Sequence, residues 1–110
     1  MTDICTQNTP IYSSFGDDPD LGELVEMFVE EMPDRIENLI SQFEAKNWEE
    51  LTRAAHQMKG AAGSYGFGVL TPVAAKLEAL LRGKKPEDAI QIGLDQLTDL
   101  CRRIRSGVAE

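Results

Sequence analysis

Apolar side chains recur along this chain in steps of three and four, and they do so in four separate stretches. In the first, Leu21, Val25, Phe28, Met32, Ile36, Leu39 and Phe43 fall on one face of a predicted helix. Asp18 is its expected N-cap, with Pro19 at the first helical position and Asp20 in the first turn. Pro33 lies inside this stripe, but the stripe keeps its phase across it, which predicts one kinked helix rather than two. The second stretch gathers Trp48, Leu51, Ala55, Met58 and Ala62 on one side. Asn47 followed by Glu50 reads as a capping box, and the helix is expected to run to about Tyr65. The third carries Leu70, Ala74, Leu77 and Leu81, with Thr71 as cap, Pro72 in the first turn and Gly83 as the C-terminal glycine. The fourth carries Ile90, Leu94, Leu97, Cys101 and Ile104. Pro86, Glu87 and Asp88 mark its start, and Arg102, Arg103 and Arg105 complement the dipole at its end.

No stretch alternates with β-branched residues, so no strand is predicted. Residues 1–17 show no sustained period and read as an irregular lead-in, whose Ile11, Tyr12 and Phe15 are candidates to pack on the helices. The expected fold is all-α: an antiparallel up-and-down four-helix bundle over residues 18–110.

Composition narrows the function more than the fold. A chain of 110 residues makes about one domain with its own core. Its 19 acidic and 11 basic residues give a net charge of −8, and Lys and Arg form no long run, which argues against nucleic acid or an anionic membrane as partner. No apolar run approaches the roughly 18 residues of a membrane span. The N-terminus lacks the basic and apolar regions of a secretory signal. Cys5 and Cys101 lie far apart, which suits a reducing compartment better than a disulfide framework. The expectation is a cytoplasmic protein. No second unbroken apolar stripe is left over, so a monomer is expected.

The segment HQMKGAAG, residues 56–63, holds the only histidine. It also places Gly60 and Gly63 inside a helix, where each glycine costs about 1 kcal/mol relative to alanine. At about 100° per residue, Gly63 falls within roughly 20° of His56, Gly60 about 40° away and Lys59 about 60° away. Arg53 and Thr52 share that arc, while the apolar centre lies more than roughly 100° away. His56 is therefore expected to face outward on a strip with two glycines and two cations. Glycines there remove side chains that would shield the imidazole, so a partner can come close to one ring nitrogen.

Several chemistries drop out. Nucleophilic catalysis of the Ser/His/Asp kind needs a hydroxyl beside the base, and Ser64 is eight residues on, pointing elsewhere. One histidine and two remote cysteines lack the spacing of a metal site. No glycine-rich loop follows a strand, so no nucleotide site is apparent. There remains the histidine itself as nucleophile: an ordinary imidazole is largely neutral at pH 7 and can attack phosphorus. Lys59, one turn along, can offset charge on the resulting phosphoryl group. Trp48 and Met58 are most simply core, and Tyr65 and Phe67 anchors of the turn between helices.

The segment RAAHQMKGAAGSYGFGVL, followed by AAKLEALL, resembles the histidine-containing phosphotransfer (HPt) domain. The residues that carry the resemblance are His56, Lys59, Gly60, Gly63, Gly66, Leu70, Leu77 and Glu78, with the dense part of the pattern over residues 48–82. The resemblance implies a four-helix bundle with the phosphoacceptor exposed on its second helix. His56 would take a phosphoryl group from a receiver-domain aspartate and pass it to another receiver, free-standing or part of a hybrid sensor histidine kinase. The chain would then be a phosphoryl carrier rather than an enzyme. It would need no cofactor of its own, since the receiver supplies Mg²⁺ and the acidic pocket. Glu78 would accept the Nδ1 proton of the histidine from the neighbouring helix, against the plainer expectation of a solvated surface glutamate. Arg53 would touch the phosphoryl group or the partner, against a plain surface role, and Gly60 and Gly63 would lie under that partner. GSYGFGVL is also similar to the phosphoacceptor domain of chemotaxis-type histidine kinases, which a separate kinase core phosphorylates from ATP. A docking adaptor without chemistry is the remaining alternative, and the pairing of His56 with Lys59 argues against it.

Overall fold

The computed structural model describes residues 9–107. Four helices dominate it: α1 (Gly22–Glu44), α2 (Trp48–Ser64), α3 (Leu70–Arg82) and α4 (Glu87–Arg103). Each packs on its neighbour in sequence, and α4 closes the ring against α1. The connections, residues 45–47, 65–69 and 83–86, are short, in keeping with helices that pack beside their neighbours in sequence.

The four apolar stripes form the core. Val25, Phe28, Met32, Ile36 and Leu39 of α1 meet Leu51, Ala55, Met58 and Ala62 of α2, while Leu70 to Leu81 of α3, Ile90 to Cys101 of α4 and Ile104 just beyond it complete the core. Leu21, Phe43 and Trp48, at the ends of their stripes, are half-buried. Helix α1 runs unbroken through Pro33, as the phase of its stripe requires. Helices α3 and α4 pack tightly at Gly93, where a Cβ would stand 3.0 Å from Leu80 Cδ1.

The ends of the elements depart from the sequence reading. Helix α1 begins at Gly22 rather than Pro19. The Asp18 carboxylate caps the turn before it, accepting from the amides of Asp20 at 2.7 Å and Leu21 at 2.9 Å, and the Asp18 carbonyl accepts from Gly22 N. Asn47 Oδ1 does accept from Glu50 N, at a long 3.5 Å, but the Glu50 carboxylate turns to Arg53 and does not close the box. Helix α3 begins at Leu70, so the cap position falls on Val69, which has no side-chain acceptor, and Thr71 lies inside the helix, its hydroxyl donating to the Lys59 carbonyl of α2 at 3.4 Å. Gly83 stands at the end of α3 with φ −81°, and the left-handed residue is Lys84, φ 53°.

One strand pair was missed. Ile11–Tyr12 (β1) runs parallel to Ile104–Arg105 (β2), with Ile11 opposite Ile104. Two residues are too few to show an alternating period. Ile104, assigned by its spacing to the last helix, has left α4 and is extended, yet still buried. Residues 11–16 thus form a strap. Ile11 and Phe15 pack on the core, Ser13 Oγ donates to the Tyr65 carbonyl at 2.6 Å, and Ser14 N donates to Gly66 O. Gly66 makes this docking possible: its φ is +82°, and a Cβ would overlap Ser13 Oγ and stand 2.9 Å from the Phe15 ring.

Candidate functional site

The site is built on the outer face of α2 and one carboxylate of α3. His56 is exposed, with 59 % of its side chain in solvent, because the core stripe of α2 occupies the opposite face. Gly60 has nothing within 4 Å of where its Cβ would be, and at Gly63 a Cβ would meet only Thr71 Oγ1, at an ordinary 3.6 Å. Close helix packing therefore explains neither glycine, and both leave the surface beside His56 low.

Glu78 is where the structure adds most. Its carboxylate is buried at 7 % exposure, not solvated, and is surrounded by donors. Oε2 lies 3.0 Å from His56 Nδ1 and accepts from Arg82 Nε at 2.8 Å and Nη2 at 2.7 Å, while Oε1 is 2.9 Å from Lys59 Nζ. The bonds from Lys59 and Arg82 hold the acid down, from 4.5 to about 2, against the opposing pull of burial. An ionised carboxylate can only accept. The proton between Glu78 and the ring therefore resides on His56 Nδ1, and the lone pair of the neutral imidazole is left on Nε2. Among the described residues Nε2 has no hydrogen-bond partner, so it is open to an incoming group.

The structure thus brings His56, Lys59 and Glu78 together, with Gly60 and Gly63 on the same face. Arg53 stays outside the network: its guanidinium pairs with Glu50 at 3.4 Å and not with Glu78. Arg82 was not singled out from the sequence. A glutamate followed four residues later by an arginine on one helix face is a signal for such a pair, and Glu78 with Arg82 fits it. Tyr65 and Phe67 do anchor the α2–α3 turn, with rings 4.9 and 5.7 Å from that of Phe28. Met58 is core, whereas Trp48 is half-buried, its ring edge-on to Phe43 at 5.7 Å.

The family model of the Hpt domain matches residues 23–107, and so takes in all of α2, α3 and α4. The chain belongs to the histidine-containing phosphotransfer family. HPt domains carry phosphoryl groups on a histidine within phosphorelays, and His56 is the only histidine here. No curated protein and no solved structure matches the chain. No helix among the described residues is long and apolar enough to cross a membrane.

Proposed function

We propose that His56 of this HPt domain accepts a phosphoryl group from the phosphoaspartate of one receiver domain and delivers it to the aspartate of another. The observation that supports this reading is the exposed ring whose Nδ1 is tied to a buried, ionised Glu78 while Nε2 faces solvent. In the forward step the Nε2 lone pair attacks phosphorus. A P–N bond forms, the P–O bond to the aspartate breaks, and the aspartate leaves as a carboxylate. Nδ1 keeps its proton, so the product ring is cationic, and Glu78 stabilises that charge. The same proton makes the imidazole a neutral leaving group in the return step. The transition state is loose, so positioning and charge neutralisation suffice. Lys59, paired with Glu78 at rest, would turn toward the phosphoryl oxygens as they arrive.

On this reading the protein is a carrier in the cytoplasm, acting as a monomer, and the receiver contributes Mg²⁺ and the acidic pocket. The receivers are separate response regulators or the receiver domain of a hybrid sensor histidine kinase. Incubation with a panel of receivers from the same cell, each phosphorylated beforehand, tests it. The native protein is expected to gain label that acid removes, as for a phosphoramidate, and His56→Gln to gain none. Label that persists on His56→Gln, or that survives acid as a phosphoserine would, overturns the assignment.

A further inference from the structure

Next to His56 the surface opens into a groove of about 780 Å³ between the first half of α2, the end of α3 and the start of α4. It lies toward the N-terminal end of α2 from His56, whereas Gly60 and Gly63 lie toward the C-terminal end. Its floor is apolar, made by Trp48, Leu81 and Ile90, and its rim is basic, with Arg53, Arg82, Lys84 and Lys85. Two carboxylates, Glu49 and Glu87, also border it. Glu87 is neutralised by Lys46, whose Nζ lies 2.9 and 3.0 Å from its two oxygens. Arg53 and Arg82 are engaged by Glu50 and Glu78. Lys84 and Lys85 have no ion pair among the described residues. With Glu49 the one unpaired carboxylate on the border, the two lysines leave a small local excess of positive charge in a chain of net charge −8.

The backbone reinforces the placement. The left-handed residue that ends α3 is Lys84, although glycine, the residue that adopts this conformation without cost, stands one position earlier. The turn holds with Lys84 N donating to Leu81 O and Lys85 N to Leu80 O, and it sets both lysines at the mouth of the groove.

We propose that the receiver exchanging phosphate with His56 seats an apolar side chain flanked by carboxylates in this groove, with Lys84 and Lys85 taking the carboxylates. The proposal rests on His56 being the phosphoacceptor and names the surface that recognises its partner. Charge complementarity selects the occupant: a receiver presents an acidic face around its phosphoacceptor aspartate, and the groove presents an apolar floor within a basic rim beside the ring that must meet it. Such rim charges act mainly on encounter and are screened by salt.

The test compares the native protein with Lys84→Glu/Lys85→Glu. Phosphoramidate, a donor too small to reach the groove and the histidine together, labels His56 in separate samples of both proteins as the control. Transfer from the phosphorylated receiver that labels the native protein fastest is then measured against receiver concentration at low and high salt. Labelling by phosphoramidate is expected to be equal in the two. Transfer from the receiver is expected to need at least about tenfold more receiver for half-saturation at low salt in the variant, with a flatter salt dependence. Equal half-saturation and equal salt dependence would overturn the groove as the docking surface while leaving His56 as acceptor. Native protein that phosphoramidate labels and no receiver labels would overturn the receiver as partner. Ile92→Glu, an exposed site on α4 outside the groove, is expected to leave both measurements unchanged.

Discussion

Glu78 is a single carboxylate with three cationic or ring donors on its two oxygens, and its titration is tied to folding. In the folded chain it ionises at about 2 instead of 4.5, so between those values the folded state binds fewer protons than the unfolded one. Its contribution to stability is therefore complete above about pH 5 and is lost as the pH falls through about 2. It amounts to at most about 3 kcal/mol, since its partners are partly in water. The urea midpoints of the native protein and Glu78→Gln should differ at pH 6 and converge toward pH 2. A gap that stays constant over that range would show that the acid is not held down by folding. Lys59→Ala removes one charge-assisted contact worth about 1.5–3 kcal/mol, so transfer should slow roughly 10- to 150-fold if the contact forms only in the transition state. Single-turnover rates from a phosphorylated receiver measure this, and an unchanged rate would place Lys59 in the resting network with Glu78 alone.

At the scale of elements, the interiors of the helices were legible and their ends were not. The stripes from Val25 to Leu39 and from Leu51 to Ala62 repeat often enough for the period to show through, and burial of one face enforces it. A cap is decided by one residue and one hydrogen bond: the third helix starts one residue before Thr71, whose hydroxyl bonds to the Lys59 carbonyl, and Glu50 turns to Arg53 one turn along its own helix. The same difference in length separates the β1–β2 pair, invisible over two residues, from α1, visible over its whole run. In the site, His56, Lys59 and the two glycines were readable from helical spacing on one element. Glu78 needed the family pattern to bring in a second helix, and Arg82 needed attention to that helix's own charge pairs. Glycines along these elements now separate by role. Gly66→Ala should destabilise by about 1–3 kcal/mol, from a strained φ and a collision with the strap. Gly60→Ala should stabilise by up to about 1 kcal/mol, because its Cβ enters open space. Gly60→Leu should keep helical circular dichroism yet lose transfer by obstructing the partner. Thermal melts rank the first two, and normal transfer by the third would remove the steric reason for the glycine.

For the molecule as a whole, the strap closes the end of the bundle where α2 turns into α3, and β1 ties it to the chain leaving α4. Deleting residues 1–16 uncovers core beneath Ile11 and Phe15. It should cost about 2–4 kcal/mol, given that a fully buried side chain of this kind is worth about 1.5–3 kcal/mol. Urea unfolding of the truncated chain reads this directly, and an unchanged midpoint would mean that the strap merely lies on the surface. His56 is on the outer face of α2 with none of its contacts in the strap, so the truncated chain should still be labelled by phosphoramidate while folded.

The buried thiol of Cys101 has a different use. It is 1 % exposed on α4, and burial pushes it up to about 12, so a disulfide reagent in solution finds no thiolate to attack while the bundle is closed. In a Cys5→Ser background, the rate of its modification is a clock for how often α4 lifts away from the other helices. A receiver seated across the turn from α3 to α4 would have to be shed, or carried along, at each such excursion. Its binding should therefore slow the clock, and the ratio of the two rates reports occupancy without any phosphate being transferred.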